Sequence, residues 1–544
     1  MGSPHAIEFK NISKRFGRKV ANNNISFSME RGEILSLLGE NGSGKTTLMN
    51  MLAGIYYPDE GEIFINGEPV QIRSPKDAYA YNIGMVHQHF KLVDVFTAAE
   101  NISLGESGKL DREAIAGRIN EIKAKYGFII DPNKKIYEMS VSEKQTVEIV
   151  KVLYRGADVL ILDEPTAVLT PQEIEHLFTV LRAMKADGKS IIIITHKLNE
   201  VMEISDEVAV LNHGEFTGKV RTCDTNPQKL TEMMVGHKVE LSIRRPEPVN
   251  PQPRLTVENL TVRNHEGVNK VHHVSFTAYG GEILGIAGIA GSGQKELLEA
   301  IAGLQQISII EGSIMYSPEG KKPSELVGKS PMQIRQSGVA LAFVPEDRLG
   351  MGLVGSMGMR GNMMLRTWQH GHSLFVNRRE PNELAEHIKK ELDVSTPDIM
   401  YPVRRLSGGN VQKVLVGREI ASAPSVLMSA YAVRGLDINT SYTIYNLMTQ
   451  QKERGVAVIY VGEDLDVLLE LCDRILVLCD GHVSGIVDAR TADKNEIGIL
   501  MTSIGGVGAA KPAGEAADKS GAAGSCQTGT EDSNAAGKEG STNA

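Results

Sequence analysis

The sequence predicts two tandem α/β units, each with a parallel-sheet core and a helical subdomain, followed by a disordered C-terminal tail. Three observations point there: a long internal repeat, apolar strand-like runs alternating with helix-like stretches, and a glycine-rich loop closing the first of those runs. At 544 residues the chain exceeds the usual span of a single domain, about 100–200 residues. An apolar fraction of 41% and a charged fraction of 23% leave ample material for large cores. A net charge of −9 argues against a nucleic-acid footprint across the surface. The longest apolar runs, such as Ile191–Ile194, are too short to cross a bilayer. The opening MGSPHAIEFK lacks the charged head and apolar stretch of a secretory signal. Cys223, Cys472, Cys479 and Cys526 are scattered without a C-x-x-C pair, which suits a reducing compartment.

The repeat comes first because it sets the domain count. GEILSLLGENGSGKTTLMNMLAG (Gly32–Gly54) returns as GEILGIAGIAGSGQKELLEAIAG (Gly281–Gly303), with about half of the paired positions identical, the mark of a duplicated unit. Gly288 lies 249 positions after Gly39, whereas Ser407 lies 267 after Ser140 and Gly481 lies 267 after Gly214. The second unit therefore carries 18 extra residues between its glycine-rich loop and Ser407. We place the units at residues 1–243 and 255–503, joined by the proline-rich, exposed linker 244–254, RRPEPVNPQPR. Residues 504–544 are Gly, Ala, Ser and charge, too poor in apolar groups to offset the entropy of ordering.

Within the first unit Glu33–Leu38, Val159–Leu162 and Ile191–Thr195 are strand-like, and the stretches between them favour crossover helices and a parallel sheet. The mostly helix-like stretch Phe90–Leu153 is expected to form its own subdomain.

Gly39-Glu40-Asn41-Gly42-Ser43-Gly44-Lys45-Thr46, followed by Thr47, fits G-x-x-x-x-G-K-[ST] between a strand and a helix-forming segment. Glycines let backbone N–H groups approach phosphates, and a helix N-terminus adds positive potential. Lys45 suits the β/γ-phosphates of ATP and the Thr46 hydroxyl suits Mg²⁺. Val159-Leu160-Ile161-Leu162-Asp163-Glu164 is an apolar strand ending in two acids. Asp163 fits an outer-shell role on Mg²⁺, and Glu164 fits a base or orienter for the attacking water. Alone, such a pair also suits a solvated strand end. His196 follows the next strand, where it can sense a γ-phosphate or serve structure. Phe16 is suited either to stacking on adenine or to the core.

The order of phosphate loop, Gln88 in MVHQHF, a serine-glycine signature, LDEP and ITHKL resembles an ABC-transporter nucleotide-binding domain. Two tandem copies resemble the ATP-binding subunit of bacterial importers for monosaccharides and nucleosides. DEPTAVLTPQE (Asp163–Glu173), VPEDR (Val344–Arg348) and LSGGNVQK (Leu406–Lys413) are most similar to the nucleoside branch. The resemblance implies two tandem P-loop ABC ATPase domains working head to tail, each ATP held between one unit's phosphate loop and the other's signature. It implies Gln88 as a further catalytic and Mg²⁺-binding residue. It also implies separate membrane permease subunits, an extracytoplasmic solute-binding protein, a peripheral place on the cytoplasmic membrane face, and no direct contact with solute or nucleic acid. A soluble twin-domain ATPase acting on ribosomes or nucleic acid is the alternative.

On the resemblance, one composite site is complete: Lys45, Thr46, Gln88, Asp163, Glu164 and His196 with Ser407, Gly408 and Gly409. The other is degenerate. Gln294 and Lys295 stand for Lys45 and Thr46, Ala430 and Tyr431 for Asp163 and Glu164, Glu463 for His196, and Glu346 for Gln88. Its signature, Met139-Ser140-Val141-Ser142-Glu143, lacks both glycines, and side chains there hinder close approach to a phosphate. Met351, Met357, Met359, Met363 and Met364 cluster in the second unit's extra segment. They are expected either to form a groove for a permease helix or to fill core.

Overall fold

The structure is a computed structural model that describes residues 5–503, apart from 18, 89, 106–110, 168, 237–241, 265, 305–307, 321, 337–340 and 368–376. The expected tail and Cys526 lie outside the described residues. Both repeats belong to one compact unit.

Each repeat builds two sheets. In the first, six strands run in the order Glu215–Arg221, Glu207–Asn212, Ile34–Leu38, Ser190–Thr195, Val159–Asp163, Ile83–Val86. All pair in parallel except the edge strand Glu215–Arg221. Both faces are buried, as parallel sheets require. Leu160, Leu162, Ile191 and Ile193 face one core, while Ile161, Ile192 and Ile194 face the other. The second repeat reproduces the order: Leu341–Val344, Val426–Ala430, Ala457–Val461, Ile283–Gly288, Arg474–Cys479, His482–Asp488. A second, four-stranded antiparallel sheet in each repeat went unread in the sequence. Its long strands His5–Phe16 and Lys19–Glu30 pair with repeated register shifts, and bulges of that kind blur the period-two pattern. The helical subdomain of the first repeat is present as Ala98–Ile102, Arg112–Tyr126 and Val141–Tyr154.

Three expectations need correction. The strand Gln252–Arg263 absorbs the last three linker residues. The rest of the linker is fastened to the second repeat: Arg245 donates to the carbonyls of Leu469 and Cys472, Lys452 donates to Pro246 O, and Arg490 pairs with Glu247. A proline-rich run rich in arginine carbonyl donors can be laid down as well as left loose. The extra residues of the second repeat are also split. Ile83–Val86 and Leu341–Val344 are matched edge strands, 258 positions apart, so half of the insertion precedes that strand and half follows it. Lastly, Met359 and Met363 are fully buried among core residues such as Leu415 and Val403, so they fill core and form no groove. Met351 and Met357 remain exposed.

Candidate nucleotide site

The first repeat's phosphate loop joins the buried strand Ile34–Leu38 to the helix Lys45–Leu52. Gly44 caps that helix with φ 96°, and a Cβ there would lie 2.4 Å from Ala21 O. At Gly39 an added Cβ would come within 2.3 Å of Leu211 O. Neither position tolerates a side chain. Lys45 is buried and its ammonium donates to Gly39 O at 2.7 Å and Glu40 O at 2.9 Å. Burial pulls its pKa down, while Glu164 and Asp163 oppose that pull.

Asp163 and Glu164 end the central strand and differ in environment. Burial, with Glu164 beside it, pushes Asp163 up to about 6 despite a hydrogen bond from the Thr46 hydroxyl. Glu164 has φ 48°, an uncommon left-handed conformation for a side-chain-bearing residue. Its carboxylate accepts from Gln88 Nε2 at 2.6 Å and meets His196 Nδ1 at 3.0 Å. The His196 hydrogen bond holds Glu164 below its ordinary pKa against the opposing effect of burial. A hub carboxylate between two polar side chains is thus ionised and oriented. Asn41, Gly42, Thr46 and Thr47 border the same cleft, with Phe16 at its rim. Phe16 is 44% exposed and packs edge-on against Tyr56, so it is no core residue.

The cleft, about 1280 Å³, is shared with the second repeat, whose wall includes Tyr431, Arg434, Gly435, Leu436, Ile438 and Glu463. Ser407, Gly408 and Gly409 do not line it. They stand behind that wall: Ser407 caps the helix Gly408–Ala421, and a Cβ on Gly409 would lie 3.2 Å from Asp437 Oδ2 and Thr440 Oγ1. The turn they support reaches the first phosphate loop, where Ile438 N–H donates to Glu40 Oε1 at 3.3 Å. That cross-repeat bond went unnoticed in the sequence. The repeat register would have disclosed it, because the corresponding pair on the other side is Ile289 and Pro171, which offers neither acceptor nor donor. There the first repeat's helix instead abuts Lys494–Thr502, with Gln172 donating to Asn495 O.

The second repeat keeps the backbone of a nucleotide site. Gly291 and Gly293 have φ 93° and 92°, beside 86° and 96° at Gly42 and Gly44. Tyr431 has φ 50° and donates its N–H to Val461 O at 2.9 Å, as Glu164 donates to Ile194 O at 2.9 Å. The side chains differ. Buried Gln294 donates to Ile289 O, and Lys295 faces Glu299. Arg434 meets Glu346 at 2.7 Å and Glu463 at 3.2 Å, and the Arg348 side chain holds the Arg434 carbonyl. A guanidinium between two carboxylates replaces a carboxylate between two donors. Burial, with Glu463 and Glu346 nearby, pushes Tyr431 up to about 12, so its phenol stays protonated and supplies no base.

Twin phosphate-loop folds with one equipped site define a nucleotide-hydrolysing protein of tandem design. The chain belongs to the ABC transporter family, whose model matches residues 22–167 and again 271–429. It is 39% identical to the nucleoside import ATP-binding protein NupA of Lactococcus lactis subsp. cremoris, over 93% of this chain and 99% of the relative. It is 40% identical to the guanosine import ATP-binding protein NupO of Bacillus subtilis, over 91% of this chain and 97% of that one. The glucose import ATP-binding protein TsgD13 of Haloferax volcanii matches at 38% over 92% of this chain and 96% of its own length. The chain is therefore an ABC ATPase that binds ATP and couples its hydrolysis to transport. Among the described residues no helix is long and apolar enough to cross a membrane.

Proposed function

We propose that this chain energises the import of nucleosides, with one hydrolytic ATP site per chain. Relatives named for nucleoside and guanosine import support the cargo, and the alternative of a ribosome- or nucleic-acid-directed ATPase has no such support. The observation that carries the single site is the opposed polarity of the two triads, Gln88–Glu164–His196 and Glu346–Arg434–Glu463.

In this reading residues 1–243 and 255–503 are the two ATPase domains, with the linker 244–254 between them. The amides of Gly39–Thr47 cradle the phosphates and Phe16 stacks on adenine. Lys45 neutralises the β/γ-phosphates once its ammonium leaves the carbonyls of Gly39 and Glu40. Glu164 orients the attacking water and accepts its proton, which requires the ionised form that His196 maintains. His196 passes the state of the γ-phosphate to Glu164. Ser407, Gly408 and Gly409 complete the site from the second repeat when the cleft closes. Thr46, Gln88 and the buried Asp163 form a hard-oxygen donor set that fits Mg²⁺, since a desolvated carboxylate beside a hydroxyl lacks a full cationic partner. Bound there, Mg²⁺ supplies charge neutralisation for phosphoryl transfer. Membrane permease subunits hold the chain on the cytoplasmic face, and a solute-binding protein delivers cargo outside, so this chain touches no solute.

The test is ATP hydrolysis by the complex purified from native membranes with its binding protein, against nucleosides and sugars. Stimulation by nucleosides is expected. Stimulation by a sugar alone would keep the ATPase and overturn the cargo.

A further inference from the structure

The second repeat holds a cavity of about 500 Å³, a size that takes a small organic ligand. It opens among the helices Arg379–Glu391, Gly408–Ala421 and Ile438–Glu453. The first repeat has filled the same place. The helices Val141–Tyr154 and Gly408–Ala421 have equal length and begin at matched serines, and Pro171–Ala186 matches Ile438–Glu453 in the same way. On that register Ala421 takes the place of Tyr154, Gln451 that of Met184, and Arg454 that of Asp187. Tyr154 and Met184 are buried core residues, and Asp187 accepts from Lys125 and from the Tyr126 hydroxyl.

In the second repeat a ring and a thioether are gone, and two hydrogen-bond donors border the space. Gln451 is only 3% exposed, yet its side-chain amide has no hydrogen-bond partner among the described residues. Leaving a buried amide unpaired is unfavourable unless a ligand completes it. Arg454, three residues on and therefore on the same helix face, is exposed and pairs with no carboxylate among the described residues. The acid in the lining, Glu391, is held by His387 at 2.8 Å. Ile388, Leu392 and Leu447 supply an apolar wall.

We infer that this cavity binds a small carboxylic acid with an apolar body, separately from the nucleotide cleft. The hydrocarbon part lies against the aliphatic wall. The carboxylate accepts from the Gln451 amide and the Arg454 guanidinium, whose planar fork suits it. The site exists because large-to-small replacement opened space that the core of the first repeat occupies.

Saturation-transfer NMR on the full chain tests this with 3-phenylpropionate as probe and 3-phenylpropanamide as its neutral control. The acid is expected to show transfer and the amide to bind at least tenfold more weakly. Ala421→Tyr, which restores the first repeat's residue, should abolish the signal, and Arg454→Gln should weaken binding at least tenfold. No transfer from the acid to the wild-type chain overturns the site, as does unchanged binding in A421Y. Equal binding of acid and amide overturns the assigned chemistry. If A421Y loses its cooperative melting transition, Gln451→Met replaces it, again with lost binding expected and unchanged binding overturning the inference.

Discussion

The two ends of the shared cleft have nearly the same backbone and opposite chemistry. On one side Glu164 sits between Gln88 and His196; on the other Arg434 sits between Glu346 and Glu463. Both strands end in a residue held at positive φ, 48° at Glu164 and 50° at Tyr431. A fold can therefore keep a strained catalytic backbone after the catalytic side chains are gone. The strain at Tyr431 is retained because the surrounding sheet imposes it, with Tyr431 N–H bonded to Val461 O. Chemistry is lost side chain by side chain; scaffold is not.

The sharpest way to break this comparison is to exchange the hubs. Glu164→Gln should lower ATP turnover by at least about a hundredfold while ATP remains bound, whereas Tyr431→Phe should leave turnover unchanged. A steady-state ATPase assay beside equilibrium nucleotide binding checks both, and near-normal turnover in E164Q would remove Glu164 from its role. Gln294→Lys alone should recover no second activity, because Ala430, Tyr431 and Glu463 remain.

A smaller effect separates the two signatures. Gly409→Ala presses a methyl against Asp437 and Thr440 behind the turn that reaches Glu40. Turnover should fall on the order of tenfold, since small displacements of positioning groups are costly. Ser142→Gly in the first repeat should change nothing. Equal effects from the two would end the head-to-tail assignment.

Removing the second hub should cost stability and spare catalysis. Arg434→Ala leaves Glu346 and Glu463 unpaired, and partly exposed pairs of this kind are worth about 0.2–1 kcal/mol each. Calorimetry should show a melting midpoint lower by roughly 2–4 °C, with turnover at the first site intact.

The smallest effect concerns a feature the repeats share. Glu33 and Glu282, 249 positions apart, are both pushed up to about 7 by burial, against partial compensation that includes Lys219 and Arg474 respectively. The folded chain therefore keeps protons that the unfolded chain releases near its ordinary value of 4.5. Between those values the native state binds more protons, so the stability from these groups is complete below about 4.5 and is lost as pH rises towards 7. Melting curves at pH 5 and pH 8 should show Glu282→Gln reducing the loss at the higher pH. An unchanged pH dependence in E282Q would exclude that carboxyl as a source.

Much of the site was legible in advance because its residues lie in contiguous motifs. Gly39–Thr47, Asp163–Glu164 and His196 each close a buried strand, and a strand end is a local property that period and turn chemistry announce. Gln88 was placed by order along the chain, and its hydrogen bond to Glu164 needed the fold. The methionine cluster misled because helical spacing alone cannot say which methionines face inward. Met359 and Met363 do, and Met351 and Met357 do not.

The sequence by itself determined the duplication, the parallel-sheet class and the unequal equipment of the two units, since identity at matched positions survives without coordinates. Tertiary structure alone decided what lies across from what. Glu40 meets Ile438 from 398 positions away, and Arg434 gathers Glu346 and Glu463 into one cluster. Tyr154 fills a space that Ala421 leaves open. Such contacts depend on how separate elements pack, and packing distance is not encoded in the local periodicity from which strands and helices are read.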